Sequence, residues 1–228
     1  MNVSAEYDAI YARIRTSVLR LRDSRYRRAF GSRAHDYELY PALSEDAVAE
    51  FESKRHIKLP LDYRGFLINV GNGGAGPAYG VFKLGEMDGG RHTTPWREND
   101  GLVGTLSNPF PLSRPWNDLT NKPIFDDSRE QDLAYEDQYS DLLNIFDKTY
   151  WTSENVNGAI PLCDEGCAYR LWLIVTGPEA GNIWCDGRVN YKGLFPLQLP
   201  GRIRVTFLQW YMNWLDEALI NQLIAKGG

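Results

Sequence analysis

The chain has 228 residues, 43% of them hydrophobic, and its 30 acidic and 25 basic side chains leave a formal net charge of −5 at neutral pH. That is apolar material enough for a packed globule. No signal-peptide pattern opens it and no run of about 18 uncharged apolar residues occurs, which excludes a membrane-spanning helix and predicts a cytoplasmic protein.

Val3, Tyr7, Ile10, Tyr11, Ile14, Val18 and Leu21 recur at helical spacing, which predicts an amphipathic first helix. Arg13, Arg15, Arg20, Arg22, Arg25, Arg27, Arg28 and Arg33 crowd the same region, most of them on its outward face. No groove-reading motif or aromatic-basic alternation accompanies them, so they read as a solvated face and nucleic acid is not expected as a partner.

Residues 31–41 read as a linker. Ser44 then stands where an N-cap belongs, with Glu45 and Asp46 in the following turn and Val48 and Phe51 on one face. This helix must yield before Leu59-Pro60, because proline disfavours helical geometry in the residue ahead of it. Pro60 can itself open the next helix, in which Tyr63, Phe66, Leu67 and Val70 trace a core-facing stripe. The run Gly71-Asn72-Gly73-Gly74-Ala75-Gly76-Pro77 ends it. Gly71, Gly73 and Gly76 match the spacing of a dinucleotide-binding motif, but they follow a helix and lead into a predicted strand at residues 79–82, the reverse of the order that motif needs.

From residue 89 to residue 157 the chain turns polar, and Pro95, Pro109, Pro111, Pro115 and Pro123 bar long regular elements from its earlier part. Its later part carries a helical stripe of Leu133, Tyr139, Leu142, Leu143, Phe146 and Tyr150. Asp126, Asp127, Glu130, Asp132, Glu136, Asp137 and Asp141 make this segment densely negative, with only Arg129 opposing them locally.

A strand is predicted over 159–162, a turn at Asp164-Glu165-Gly166, and an apolar strand over 169–175. A second turn at 176–181 leads into Asn182-Ile183-Trp184-Cys185, so the last two strands form an antiparallel hairpin. Cys163, Cys167 and Cys185 are an odd set and read as reduced thiols. A structural zinc usually takes four Cys or His ligands and no second pair is suitably spaced, so neither metal nor cofactor is expected. Thr206 can cap a final helix in which Phe207, Trp210, Tyr211, Trp214, Leu215 and Ala218 form one face. Helices on either side of hairpin-connected strands predict an α+β fold, a mostly antiparallel sheet with helices packed on it.

In residues 44–84, the Ser-capped acidic helix with Phe51, Ile57-Lys58-Leu59-Pro60, Asp62-Tyr63, Phe66-Leu67, Asn72-Gly73-Gly74 and Gly76-Pro77 together resemble the signature of the SUKH superfamily. This is the Smi/Knr-like family of fungal cell-wall-synthesis regulators and bacterial toxin-immunity proteins. Later pieces also look like the family: Ile160-Pro161-Leu162, the turn from Asp164 to Gly166, Gly181-Asn182-Ile183-Trp184 and the aromatic C-terminal helix. The resemblance implies one SUKH-like α+β domain over 1–228, with a helical extension over 1–40 and an insertion over about 90–157 that lie outside the family core. Pro60, Asp62, Tyr63, Phe66, Asn72, Gly73, Gly74, Gly76, Asp164, Gly166 and Trp184 are its motif positions, and the apolar ones and the glycines are also what a helix-turn-strand core needs for packing alone.

The function so implied is that of an immunity protein, which binds and neutralises a cognate secreted toxin, often a nuclease. The alternative is a non-catalytic regulatory scaffold of the cell-wall-synthesis type. An acidic inhibitor suits a basic target, so Asp126, Asp127, Glu130, Asp132, Glu136, Asp137 and Asp141, with Tyr135 and Tyr139 as aromatic anchors, are the expected toxin-binding residues. No enzyme is expected: His35, His56 and His92 are the available imidazoles, and none falls in a catalytic motif.

Overall fold

The computed structural model describes residues 3–89 and 92–227, so residues 90 and 91, where the insertion is expected to open, lie outside it, as do the side chains of residues 3–5, 92 and 226. The first helix, α1 (Val3–Asp23), buries Tyr11, Ile14, Val18 and Leu21 and leaves Arg13, Arg15, Arg20 and Arg22 in solvent, as its periodicity requires. It packs against α4 (Leu61–Asn69) and α6 (Phe207–Gly227).

Residues 31–41 are not a free linker. They hold a one-turn helix, α2 (Ser32–His35), and bury His35 and Tyr37 against Trp214 of α6. Aromatic area outweighs the local turn composition here. Helix α3 (Glu45–Arg55) begins as its residues predict: the Ser44 side chain accepts from Ala47 N at 3.1 Å, and His56 ends the helix in the left-handed region. Tyr63, Phe66 and Leu67 of α4 are fully buried, with Phe66 4.9 Å from Phe207 and 5.0 Å from Tyr211 between ring centroids.

Two antiparallel sheets follow. The smaller pairs β1 (Glu86–Gly89) with β2 (His92–Pro95). The larger runs β3 (Ala159–Gly166), β4 (Tyr169–Ile174), β5 (Ile183–Asp186) and β6 (Leu194–Pro196), each beside the next, so β4 and β5 are central and almost wholly buried. Trp172 stands opposite Trp184 in the β4–β5 pairing. These strands share one hydrophobic core with α1, α4 and α6.

Three local expectations change. The turn after β3 falls at Cys167 and Ala168, both at positive φ, because two irregularities in β3 shift its register and carry the ladder through Asp164 to Gly166. Residues 79–82 form no regular strand: Gly80 has a φ of +100°, and Val81 alone bridges Gly74 on one side and Cys163 on the other. The stripe of α5 (Leu133–Tyr150) buries Phe146 and Tyr150, which pack on Trp116 and Tyr191, but leaves Leu133 and Leu142 exposed.

Gly74 shows why the glycine run is needed. Its φ is +97°, and a Cβ there would stand 2.4 Å from the Glu38 carbonyl oxygen. The run is therefore a close backbone crossing rather than a phosphate loop.

Candidate partner-binding surface

The acidic segment is built by its own carboxylates. Asp126 opens a short 3₁₀ turn (Asp127–Arg129) by accepting from Ser128 N at 3.1 Å and Ser128 Oγ at 2.7 Å. Asp132 caps α5, accepting from Tyr135 N at 3.1 Å and from Arg129 Nη2 at 2.7 Å. The Ser128 hydroxyl holds the Asp126 carboxyl below the usual range, and the Arg129 guanidinium does the same for Asp132. Asp127, Glu130, Asp137 and Asp141 are exposed and Glu136 is half-buried, so these five lie outside the capping pair.

Tyr135 and Tyr139 are both half-buried. Phe125 lies 5.4 Å from the first ring and 4.9 Å from the second, the Tyr135 hydroxyl accepts from Asp126 N at 2.7 Å, and the Arg129 guanidinium sits 4.2 Å over the Tyr135 ring. These aromatics fasten the acidic turn to α5.

The C-terminal half of α5 is held differently. Trp116 exchanges backbone hydrogen bonds of 2.8 Å with Leu194 at the edge of β6, and its ring stacks on Tyr150 at 5.3 Å. The Tyr150 hydroxyl donates to Asn117 Oδ1 at 2.7 Å, and Phe146 stacks on Tyr150 at 5.3 Å. A groove of about 530 Å³ opens between this half of α5 and residues 116–123. Its walls are Trp116, Pro123, Leu142, Ile145, Phe146 and Tyr150, with Asp118, Asn121 and Thr149 as the polar members. Leu142 is 49% and Ile145 63% exposed.

The charges of this surface are legible in the sequence; the groove is not. Ile145 falls outside the stripe read along the helix, and Trp116 sits 29 positions away in a proline-rich stretch. A tryptophan in such a stretch, far from any apolar stripe, was the available signal.

Of the positions that carry the sequence resemblance, Asp62, Tyr63, Phe66, Gly73, Gly74, Gly76 and Trp184 are buried, and Pro60, Asn72, Asp164 and Gly166 are half-buried. Pro60 precedes α4. Asp62 is buried and accepts from Tyr63 N at 2.8 Å and Leu208 N at 3.1 Å. Asn72 Oδ1 accepts from Leu84 N at 2.8 Å, and Asp164 Oδ1 from Gly166 N at 2.7 Å. Trp184 is fully buried and donates through Nε1 to Glu179 at 3.3 Å. A buried ion pair had no sequence signal: Arg188, 0% exposed, donates to both oxygens of Asp186, at 2.9 and 2.7 Å, beneath the ring of Trp151.

His35 is buried, its Nδ1 accepting from Tyr37 N at 3.0 Å, while His56 is exposed at the end of α3. The thiols are unpaired, and burial pushes those of Cys163 and Cys185 far up from their ordinary range. Among the described residues no three His, Cys, Asp or Glu side chains gather as a metal site, and no helix is long and apolar enough to cross a membrane. What this arrangement offers a partner is shape and charge: an apolar groove beside a run of carboxylates.

Fold and surface thus define an α+β protein with an acidic, partly apolar face. A 71-residue stretch is 35% identical to the immunity protein RhsIB of Dickeya dadantii (strain 3937), covering 31% of this chain and 39% of that relative. No family model and no solved structure matches the chain.

Proposed function

We propose that this chain is an immunity protein of the SUKH type, which binds one bacterial toxin in the cytoplasm and neutralises it by contact, without chemistry of its own. The similarity to the immunity protein RhsIB carries this reading. The SUKH resemblance of residues 44–84 points the same way.

The charge distribution supports a basic target. Residues 116–150 hold nine carboxylates against three basic side chains, an excess larger than the net charge of −5 for the whole chain. A toxin that cleaves nucleic acid needs a positive substrate channel, and a carboxylate-bearing surface speeds encounter with it and stands in for phosphates. Asp126, Asp127, Glu130, Asp132, Glu136, Asp137 and Asp141, with Tyr135 and Tyr139, are the residues we assign to that contact.

Co-expression with the toxin encoded beside this gene tests the reading. Survival of the cells and a pair with a dissociation constant near nanomolar, about −12 kcal/mol, are expected. An active toxin that neither binds the well-expressed protein nor is silenced by it would turn the assignment to a regulatory scaffold.

A further inference from the structure

We propose that the groove between α5 and residues 116–123 receives an aromatic or branched aliphatic side chain carried on a positively charged segment of the toxin. This rests on the immunity reading and names what its acidic face grips.

The groove is a preformed receptacle. Its volume of about 530 Å³ falls in the range of small-molecule sites and exceeds what one large side chain fills. The Trp116–Tyr150 stack and the Tyr150–Asn117 hydrogen bond hold its floor, and pairing of Trp116 with Leu194 ties that floor to the sheet. Gly193 keeps that pairing possible, since a Cβ there would come within 1.9 Å of the Trp116 carbonyl oxygen. A rigid apolar pocket with exposed Leu142 and Ile145 at its mouth is the setting in which one buried anchor dominates binding energy.

Charge selects the occupant. Asp118 is in the wall, and Asp141 lies one helical turn from Ile145, with Asp137 one turn beyond it. Of the three basic residues in 116–150, Arg129 pairs with Asp132, so Lys122, 4.4 Å over the Tyr191 ring, and Lys148 are the cations set against Asp118, Asp137, Asp141 and Asp147. An acidic partner would enter against this field and a neutral one would gain nothing from it, whereas a basic segment gains.

The test uses the full chain and the toxin domain encoded beside it, titrated against four variants whose fold is checked by circular dichroism and thermal unfolding. Thr149→Trp blocks part of the groove without changing charge and should weaken binding at least 100-fold, mainly through faster dissociation. Ile145→Glu, at an exposed position, should weaken it at least 30-fold and serves if the tryptophan variant misfolds. Leu61→Arg, on an exposed apolar residue of α4, should leave binding unchanged. Asp137→Asn with Asp141→Asn should slow association several-fold and flatten its salt dependence. Tight binding by wild type with no effect of either groove variant overturns the proposal and leaves the immunity reading intact. Absence of binding and rescue by wild type overturns both. Concentration-dependent dimerisation that Thr149→Trp abolishes would show that a second copy occupies the groove, and equal losses in all variants would show that it has no special part.

Discussion

Asp62, in the first turn of α4, accepts a hydrogen bond from the backbone N–H of Leu208, in the first turn of α6, at 3.1 Å across 146 positions of sequence. Its other oxygen takes Tyr63 N at 2.8 Å, and its backbone carbonyl accepts from the Tyr11 hydroxyl at 3.0 Å. One short side chain therefore satisfies open N–H groups at the starts of two helices and fixes their relative position. Gln209 closes the same end of α6 by reaching back to Thr206 N at 3.1 Å.

Replacing Asp62 by Ala should cost about 2 to 3 kcal/mol, since buried donors lose their partners. Asn keeps one acceptor and turns an amide toward the other donor, so its cost should be smaller but above zero. Burial raises the Asp62 carboxyl above its ordinary range, against the pull of its hydrogen bonds. Its ionisation thus lowers stability as pH climbs from the ordinary carboxylate range through the folded value, and Asp62→Asn should remove that slope. Urea midpoints between pH 3 and 7 check both statements.

The Arg188–Asp186 pair predicts a larger effect. Arg188→Leu leaves the buried Asp186 carboxylate with only Trp172 Nε1 and Arg188 N as donors, and a loss of about 3 to 5 kcal/mol is expected. Removing both charges, as Asp186→Asn with Arg188→Leu, should recover part of it. A double-mutant cycle measured by chemical denaturation gives the coupling directly, and an additive cycle would show that the pair carries no special stability.

His35 predicts acid sensitivity. Burial lowers its pKa to about 4 from an ordinary 6.5, so between those values the unfolded chain binds a proton that the folded chain refuses. Stability from this group is complete above pH 6.5 and falls as pH drops toward 4, by about 3 kcal/mol at most. His35→Asn, which retains an acceptor for Tyr37 N, should flatten that part of the profile in thermal unfolding followed from pH 7 to pH 4.

Gly193 links the sheet to the groove. Its φ is +74° and a Cβ would collide with the Trp116 carbonyl oxygen, so Gly193→Ala should cost more than about 2 kcal/mol and release the Trp116–Leu194 pairing. Hydrogen exchange at the Trp116 amide should rise in that variant. Unchanged protection would mean that the groove floor does not depend on this crossing.

What the sequence alone determined is what short-range chemistry governs. Ser44 at an N-cap, the stripe from Tyr63 to Val70, the apolar run from Tyr169 and the aromatic face from Phe207 each act within a few residues, so α3, α4, β4 and α6 were legible, and with them the α+β class. The carboxylates of the acidic segment were legible too, because charge needs no partner to be read. Tertiary structure decided the rest. The burial of residues 31–41 depends on Trp214, the bridging of Gly74 on Glu38 and Val81, and the capping of α6 on Asp62, all contacts between positions far apart in the chain. The groove is the clearest case: Trp116 and Ile145 become one wall only when β6 pairs with residue 116 and α5 settles beside it, and no local pattern encodes a distance between two elements that have yet to meet.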